Sequence, residues 1–138
     1  MYKEIVEKII ELLKADSELA EPSKIRRYFF GYPPKPTVYP FISVRWAGGP
    51  VSQESAGKER YEMRFEILIV DQSPSEDQAE RSVMDKAERV DDVLEADVTL
   101  GGLVDYSRVT DYASESVVAG SYSIVGARVT LTAYKIKL

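Results

Sequence analysis

Cysteine, histidine and asparagine are all absent from this 138-residue sequence. Without cysteine there are no disulfides, thiolate metal sites or thiol nucleophiles. Without histidine the commonest general base and the commonest metal ligand are missing. The lack of asparagine beside many Glu, Lys and Arg matches the depletion of thermolabile residues in thermophile proteins, which makes a thermophilic source a side expectation. No apolar run approaches the ~20 residues needed to span a bilayer. The start, Met1-Tyr2-Lys3-Glu4, lacks the apolar stretch and cleavage site of a signal peptide. The expectation is therefore a soluble, intracellular chain forming one domain over residues 1–138, with no membrane partner and no secretion.

Positive charge is also short. Lys and Arg number 18 against 23 Asp and Glu, a net charge of −5, which argues against a dedicated nucleic-acid binder. From Asp71 to Asp97 there are ten acids against Arg81, Lys86 and Arg89. The plain interpretation is a solvated helix face. The sharper one is a surface that faces DNA without holding it.

Catalytic signatures are scarce too. A serine nucleophile here needs a Lys or carboxylate partner, yet Gly-x-Ser-x-Gly does not occur, and Ser-x-x-Lys occurs as Ser55-Ala56-Gly57-Lys58 in a small, polar stretch that reads as a loop. Gly48-Gly49-Pro50 and Gly101-Gly102 lack the endings of a phosphate loop or dinucleotide turn and read as backbone turns. Asp91 and Asp92, with Asp85, Glu88 and Glu95, suggest a hard-metal site only until helical geometry spreads them around an exposed face. Asp105 and Asp111 flank Arg108 as ordinary surface pairing. No catalytic residue, metal or cofactor is expected, and an enzyme is disfavoured.

What is present is regular patterning. Tyr2 to about Asp16 reads as a helix with Tyr2, Ile5, Val6, Ile9, Leu12 and Leu13 on one stripe. Ser17 to Pro40 reads as a connector in which Pro33, Pro34, Pro36 and Pro40 forbid helix. Within it Lys24, Arg26 and Arg27 abut Tyr28, Phe29, Phe30 and Tyr32. Such a mixture can stack on single-stranded bases, form a short strand or loop that packs its rings on the core and holds its charges in water, or form a protein interface. Phe41–Trp46 reads as a strand with Ile42, Val44 and Trp46 on one side. The stretch to Lys58 reads as a mobile loop or hairpin tip. Glu59–Val70 is the clearest strand, and it should pair antiparallel with Phe41–Trp46.

Ser73-Pro74-Ser75-Glu76 predicts a helix start with Ser73 as N-cap, Pro74 at the first position and Glu76 at the third. Ala79, Val83, Ala87, Val90 and Leu94 mark its buried stripe, with Met84 at the edge. The helix should end before Thr99, where Gly101-Gly102 turn the chain. Strands are expected from Leu103 to about Tyr112 and from Gly120 to Leu138, the latter with a bulge near Gly126 to explain a change of alternation. The fold class predicted is α+β: a mainly antiparallel four-stranded sheet with two helices packed on it, in the order α-β-β-α-β-β.

With these elements placed, the whole chain resembles the tail terminator (tail completion, head-tail joining) proteins of long-tailed phages, or a provirus relative. Four features carry the resemblance: the N-terminal helix and Pro-rich lead into Tyr39-Pro40-Phe41-Ile42-Ser43-Val44; the Gly-rich loop that follows; the Phe65–Val70 strand running into the helix at Ser73-Pro74-Ser75-Glu76; and the helix end Asp97-Val98-Thr99-Leu100-Gly101-Gly102. The resemblance implies a virion assembly subunit, in the virion or the host cytoplasm. Its copies form a ring, typically a hexamer, that caps the tail tube and joins it to the head connector. DNA then passes through without specific binding.

On that basis Arg26, Arg27, Tyr28, Phe30, Trp46, Gly48, Gly49, Gln53 and Lys58 are candidate interface residues. The acidic face Glu80, Asp85, Glu88, Asp92 and Glu95 is assigned to lumen or solvent. The alternative is a small ferredoxin-like α/β domain that binds a ligand or regulates, with a pocket between helix and sheet.

Overall fold

The computed structural model describes residues 1–20, 25–32, 38–119 and 121–138. Helix α1 (Tyr2–Ala15) forms where Ile5, Val6, Ile9 and Leu13 recur at helical spacing, and all four are buried. Asp16 then ends it and caps the short α2 (Ser17–Ala20), its Oδ2 accepting from the Leu19 N–H at 3.1 Å.

The sheet has six strands, not four: β1 (Arg27–Phe30), β2 (Phe41–Trp46), β3 (Val51–Ser55), β4 (Lys58–Ser73), β5 (Tyr106–Ala119) and β6 (Tyr122–Lys137). Its order is β1-β2-β4-β6-β5, with β3 paired to the first residues of β4. All pairings are antiparallel except β1 with β2, which is parallel. The chain order therefore becomes α-α-β-β-β-β-α-β-β. Of the two further strands, β1 is the short strand that the aromatic segment allowed as one of its readings, and β3 is unforeseen. β1 is four residues long and lies inside the supposed connector; Pro33, Pro34, Pro36 and Lys24 fall outside the described residues. β3 is exposed along its whole length, so it has no alternation to detect.

The supposed loop from Gly48 to Lys58 is thus largely a β-hairpin. Its lead-in keeps the ladder going: the Ala47 N–H donates to the Arg64 carbonyl at 2.7 Å, the Arg64 N–H to the Gly48 carbonyl at 2.8 Å, and the Glu62 N–H to the Pro50 carbonyl at 3.0 Å. The Tyr39–Pro40 peptide is cis.

Helix α3 (Glu76–Glu95) starts two residues later than the sequence suggests. Ser75 is the N-cap, its Oγ accepting from the Gln78 N–H at 3.4 Å, while Ser73 Oγ accepts from the Ser75 N–H at 3.2 Å. Pro74 therefore lies before the cap, where its fixed φ suits the turn. The predicted stripe Ala79, Val83, Ala87, Val90 and Leu94 is buried, but Met84 is 55% exposed.

After α3, Gly101 and Gly102 adopt φ of 69° and 88°, as a sharp turn demands, and Leu100 joins them at φ 50° with its side chain wholly buried. The turn is held by Asp97, whose Oδ2 accepts from the Gly101 N–H at 3.0 Å.

The register of β6 against β4 is unbroken through Gly126, so no bulge lies there. Val125, Ala127, Val129, Leu131 and Ala133 face the helices, while Tyr122, Ile124 and Gly126 share the other face. The irregularity is in β5 instead, between Val109 and Asp111. Helix α1 lies over β1 and β2, and α3 over β4 and β6, closing the core around Phe65, Ile67, Ile69, Val129 and Leu131.

Candidate assembly surface

Three regions of the surface carry more than ordinary solvated charge. The first is the β1 edge of the sheet. Tyr28 points toward α1, where its hydroxyl donates to the Leu13 carbonyl at 3.5 Å and the Lys14 ammonium lies 5.8 Å from its ring centre. Burial, then the Asp16 charge, pushes the Tyr28 phenol up to about 12. Phe30 points to the same side but lies 54% exposed. Arg27 and Phe29 occupy the opposite side, with the guanidinium 5.4 Å from the Phe29 ring centre. Arg26 is exposed.

The second region is the end of the sheet formed by the hairpin. Trp46 is half exposed and stacks on Tyr2 of α1 with ring centres 4.7 Å apart. Gly48 and Gly49 form the bend into β3, at φ of 87° and 141°. Gln53 and Lys58 lie on the exposed hairpin, opposite Glu59 and Ser55. The nine candidate interface residues therefore do not form one patch. Arg26, Arg27, Tyr28 and Phe30 define an edge, whereas Gly48, Gly49, Gln53 and Lys58 define one end, with Trp46 between the two.

The third region is the α3–β5 side. Glu80, Asp85, Glu88, Asp92 and Glu95 are all exposed on the outward face of α3. Toward β5, a groove of about 470 Å³ is lined by Met84, Ala87, Glu88, Tyr112, Ser114 and Ala127 among others. Tyr112 crosses from β5 to donate a short hydrogen bond to Asp91. Its phenol is raised first by burial and then by that carboxylate. Nothing in the sequence marked Tyr112, because its role depends on the bulge that turns it toward α3.

The sheet face away from the helices carries a charge ladder across four strands. Arg45 Nη2 meets Glu66 Oε1 at 2.6 Å, Arg128 Nη1 meets Glu66 Oε2 at 3.3 Å, and Arg128 Nη2 meets Glu115 Oε1 at 3.6 Å. Tyr32 covers Arg45, its ring centre 5.0 Å from the guanidinium carbon. The ladder encloses about 150 Å³ of open space over Leu68 and Gly126. These charges satisfy one another, which suits a solvated or partner-facing sheet better than a ligand pocket.

One cluster has the composition of a catalytic dyad. Lys86 Nζ lies 2.5 Å from Ser82 Oγ, and Ser82 Oγ donates to Asp71 Oδ2 at 2.6 Å. The hydroxyl proton is committed to the carboxylate, and the lysine donates to the same oxygen. The trio therefore ties α3 to the end of β4. Among the described residues, no helix is long and apolar enough to cross a membrane.

No family model matches the chain, and no curated protein matches it in sequence. Solved structures do match its fold. A chain from the virion of native gene transfer agent particle superposes with a TM-score of 0.53 at 16% identity, over 91% of each chain. A second solved chain, which carries no functional description, gives a TM-score of 0.55 at 18% identity over 96% of each. At these identities the likeness is one of fold. It runs nearly end to end in both directions, so the fold of this chain corresponds to almost the whole of each neighbour.

Proposed function

We propose that this chain is a structural, non-catalytic subunit of a phage-like virion, and that it assembles head to tail into a ring of the tail-terminator kind. The observation that carries this reading is the end-to-end likeness to a chain of the gene transfer agent virion. The resemblance of the sequence to tail terminators supports the same class. In this reading the ring, of about six copies, closes by heterologous contacts whose rotation returns to the start. It caps the tail tube and meets the head connector.

The acidic stretch Asp85, Asp92 and Glu95 faces lumen or solvent, where like charge lets phosphates slide past. The β3–β4 hairpin, whose β3 strand is exposed along its whole length, serves an axial contact with a tube or connector protein.

Light scattering on the purified chain, followed by negative-stain microscopy with and without tail tubes, tests the reading. Rings of about six subunits, alone or on tube ends, support it. A monomer or dimer that ignores tubes and binds a small ligand tightly overturns it in favour of a ligand-binding domain.

A further inference from the structure

The ring reading leaves open which surfaces of adjacent copies meet, and the two edges of the sheet differ in sign. β1 and β5 are the opposite ends of the strand order. The β1 edge carries Arg26 and Arg27, on the two sides of the sheet, and the exposed ring of Phe30. The β5 edge is net acidic, although Arg108 is also exposed on its ladder side. On the helix side stand Glu88 and Asp91; on the ladder side stand Asp111 and Glu115, both exposed. Between the helix-side acids lies the apolar groove of Met84 and Tyr112, 55% and 52% exposed.

Edge charges alone have a simpler explanation, since charged residues on a sheet edge discourage unwanted strand pairing. That role does not call for half-exposed Phe, Met and Tyr beside the charges. It also does not require one edge to be basic and the other acidic. Both apolar groups, moreover, sit in the helix layer. Phe30 is in register with Val44, which is buried on the helix side, and Met84 projects from α3 itself.

We propose that successive copies join edge to edge. Arg26, Arg27 and Phe30 of one copy dock against Met84, Glu88 and Tyr112 of the next. Phe30 fills the α3–β5 groove, and Arg26 faces Glu88. Arg27 meets Asp111 on the ladder side, beside Glu115, which Arg128 of the same copy already pairs at 3.6 Å. The contact is heterologous because the two surfaces are different and lie at opposite ends of one sheet, so each copy offers both halves. Charge complementarity sets the orientation and disfavours the alternative β1-to-β1 and β5-to-β5 contacts, in which like charges meet. This interface rests on the ring reading, but it can fail while that reading stands.

The test is a charge exchange between the edges of the full chain. R26E/R27E and E88K/D111K, all at exposed positions, are each compared with wild type by light scattering and microscopy, with circular dichroism to verify folding. Each variant alone should raise the concentration needed for half assembly by roughly tenfold or more, because like charges face each other at every contact. A one-to-one mixture should restore rings, since the acidic β1 edge of one variant then meets the basic β5 edge of the other. Wild-type rings with both variants unaffected would overturn the interface and leave the ring reading intact. Loss of assembly in each variant without recovery in the mixture would show that the two edges do not meet, which also overturns it. A wild-type chain that forms no ring under any condition, alone or with tubes, removes the ring reading and this interface together.

Discussion

Arg89 grips the carboxylate of Asp16 with two hydrogen bonds, Nε to Oδ2 at 3.0 Å and Nη2 to Oδ1 at 2.6 Å, across 73 positions of sequence. The same carboxylate caps α2 through the Leu19 N–H, and Arg89 also reaches Glu18 at 3.1 Å. One side chain of α3 thereby fixes the junction where α1 ends and α2 begins. Fork-to-fork geometry of this kind gives direction as well as attraction. Through this clamp α3 sets the position of α2.

Asp16→Asn should lower the Tm by roughly 3–6 °C at neutral pH, by the loss of a charge-assisted pair. The Arg89 hydrogen bonds hold the Asp16 carboxyl below its ordinary value of 3.8. A depressed folded-state pKa gives stability that is full above the unfolded value and fades as pH falls through the folded one. The difference between wild type and variant should accordingly shrink below about pH 4. Thermal melts at pH 7, 4 and 2.5 check this; an undiminished difference at the lowest pH contradicts it.

Tyr28 makes the opposite prediction at alkaline pH. Its phenol is pushed up to about 12, so the folded chain keeps the proton after the unfolded chain has lost it. Stability from this group is complete below about pH 10 and is lost progressively as pH rises toward 12. Tyr28→Phe should therefore show a flatter stability profile than wild type between pH 10 and 12 in urea titrations. Parallel profiles would show that the phenol is not shielded.

Glu66 is the shared carboxylate of the charge ladder and is mostly covered. Glu66→Ala removes the partner of both Arg45 and Arg128, leaving like charges side by side. A cost of roughly 1–2 kcal/mol is expected, smaller in high salt for the variant's residual repulsion. Glu66→Gln should cost less, because its amide oxygen still accepts from one of the two guanidinium groups, while the other loses its acceptor and the charge is gone. Urea denaturation at two salt concentrations separates the cases.

Gly49 cannot be replaced without moving the hairpin. It sits at φ 141°, and a Cβ there would lie 1.9 Å from the Glu62 carbonyl oxygen. Gly49→Ala should destabilise the chain by roughly 2–4 kcal/mol, or detach β3 from β4. Hydrogen exchange distinguishes the two outcomes: in the second, protection is lost at residues 51–61 and retained in the core. Gly57, at φ 78° with open space around it, should tolerate Asn far better, since Asn accepts left-handed backbone.

Much of the fold was legible in local pattern. Ile5, Val6, Ile9 and Leu13 announce α1, and the alternation of Met63, Phe65, Ile67 and Ile69 announces β4, because burying one face imposes a period on the residues. The Gly101-Gly102 turn was visible for a related reason, as adjacent glycines permit positive φ. β1 stayed open between short strand and loop because four residues are too few to show a period and its partner β2 is parallel, so no tight hairpin turn marks the pair. β3 was hidden because no face of it is buried. The helix start was misplaced because Ser73 and Ser75 are both competent caps, and only the packing of α3 against β4 selects the second.

The candidate surface divides in the same way. That Arg26 and Arg27 adjoin aromatic residues, and that α3 is acidic, follows from the order of amino acids alone. The sequence by itself also determined which faces of α1, α3, β2 and β4 turn inward, since apolar spacing and solvent decide that locally. Only the tertiary structure decided that β1 and β5 end opposite edges of one sheet, that Tyr112 turns toward α3, and that Met84 is left in the open. Those relationships join residues from 21 positions apart, as Tyr112 and Asp91, to 84 apart, as Arg27 and Asp111, and no local period or propensity encodes which edge of a sheet a strand will occupy.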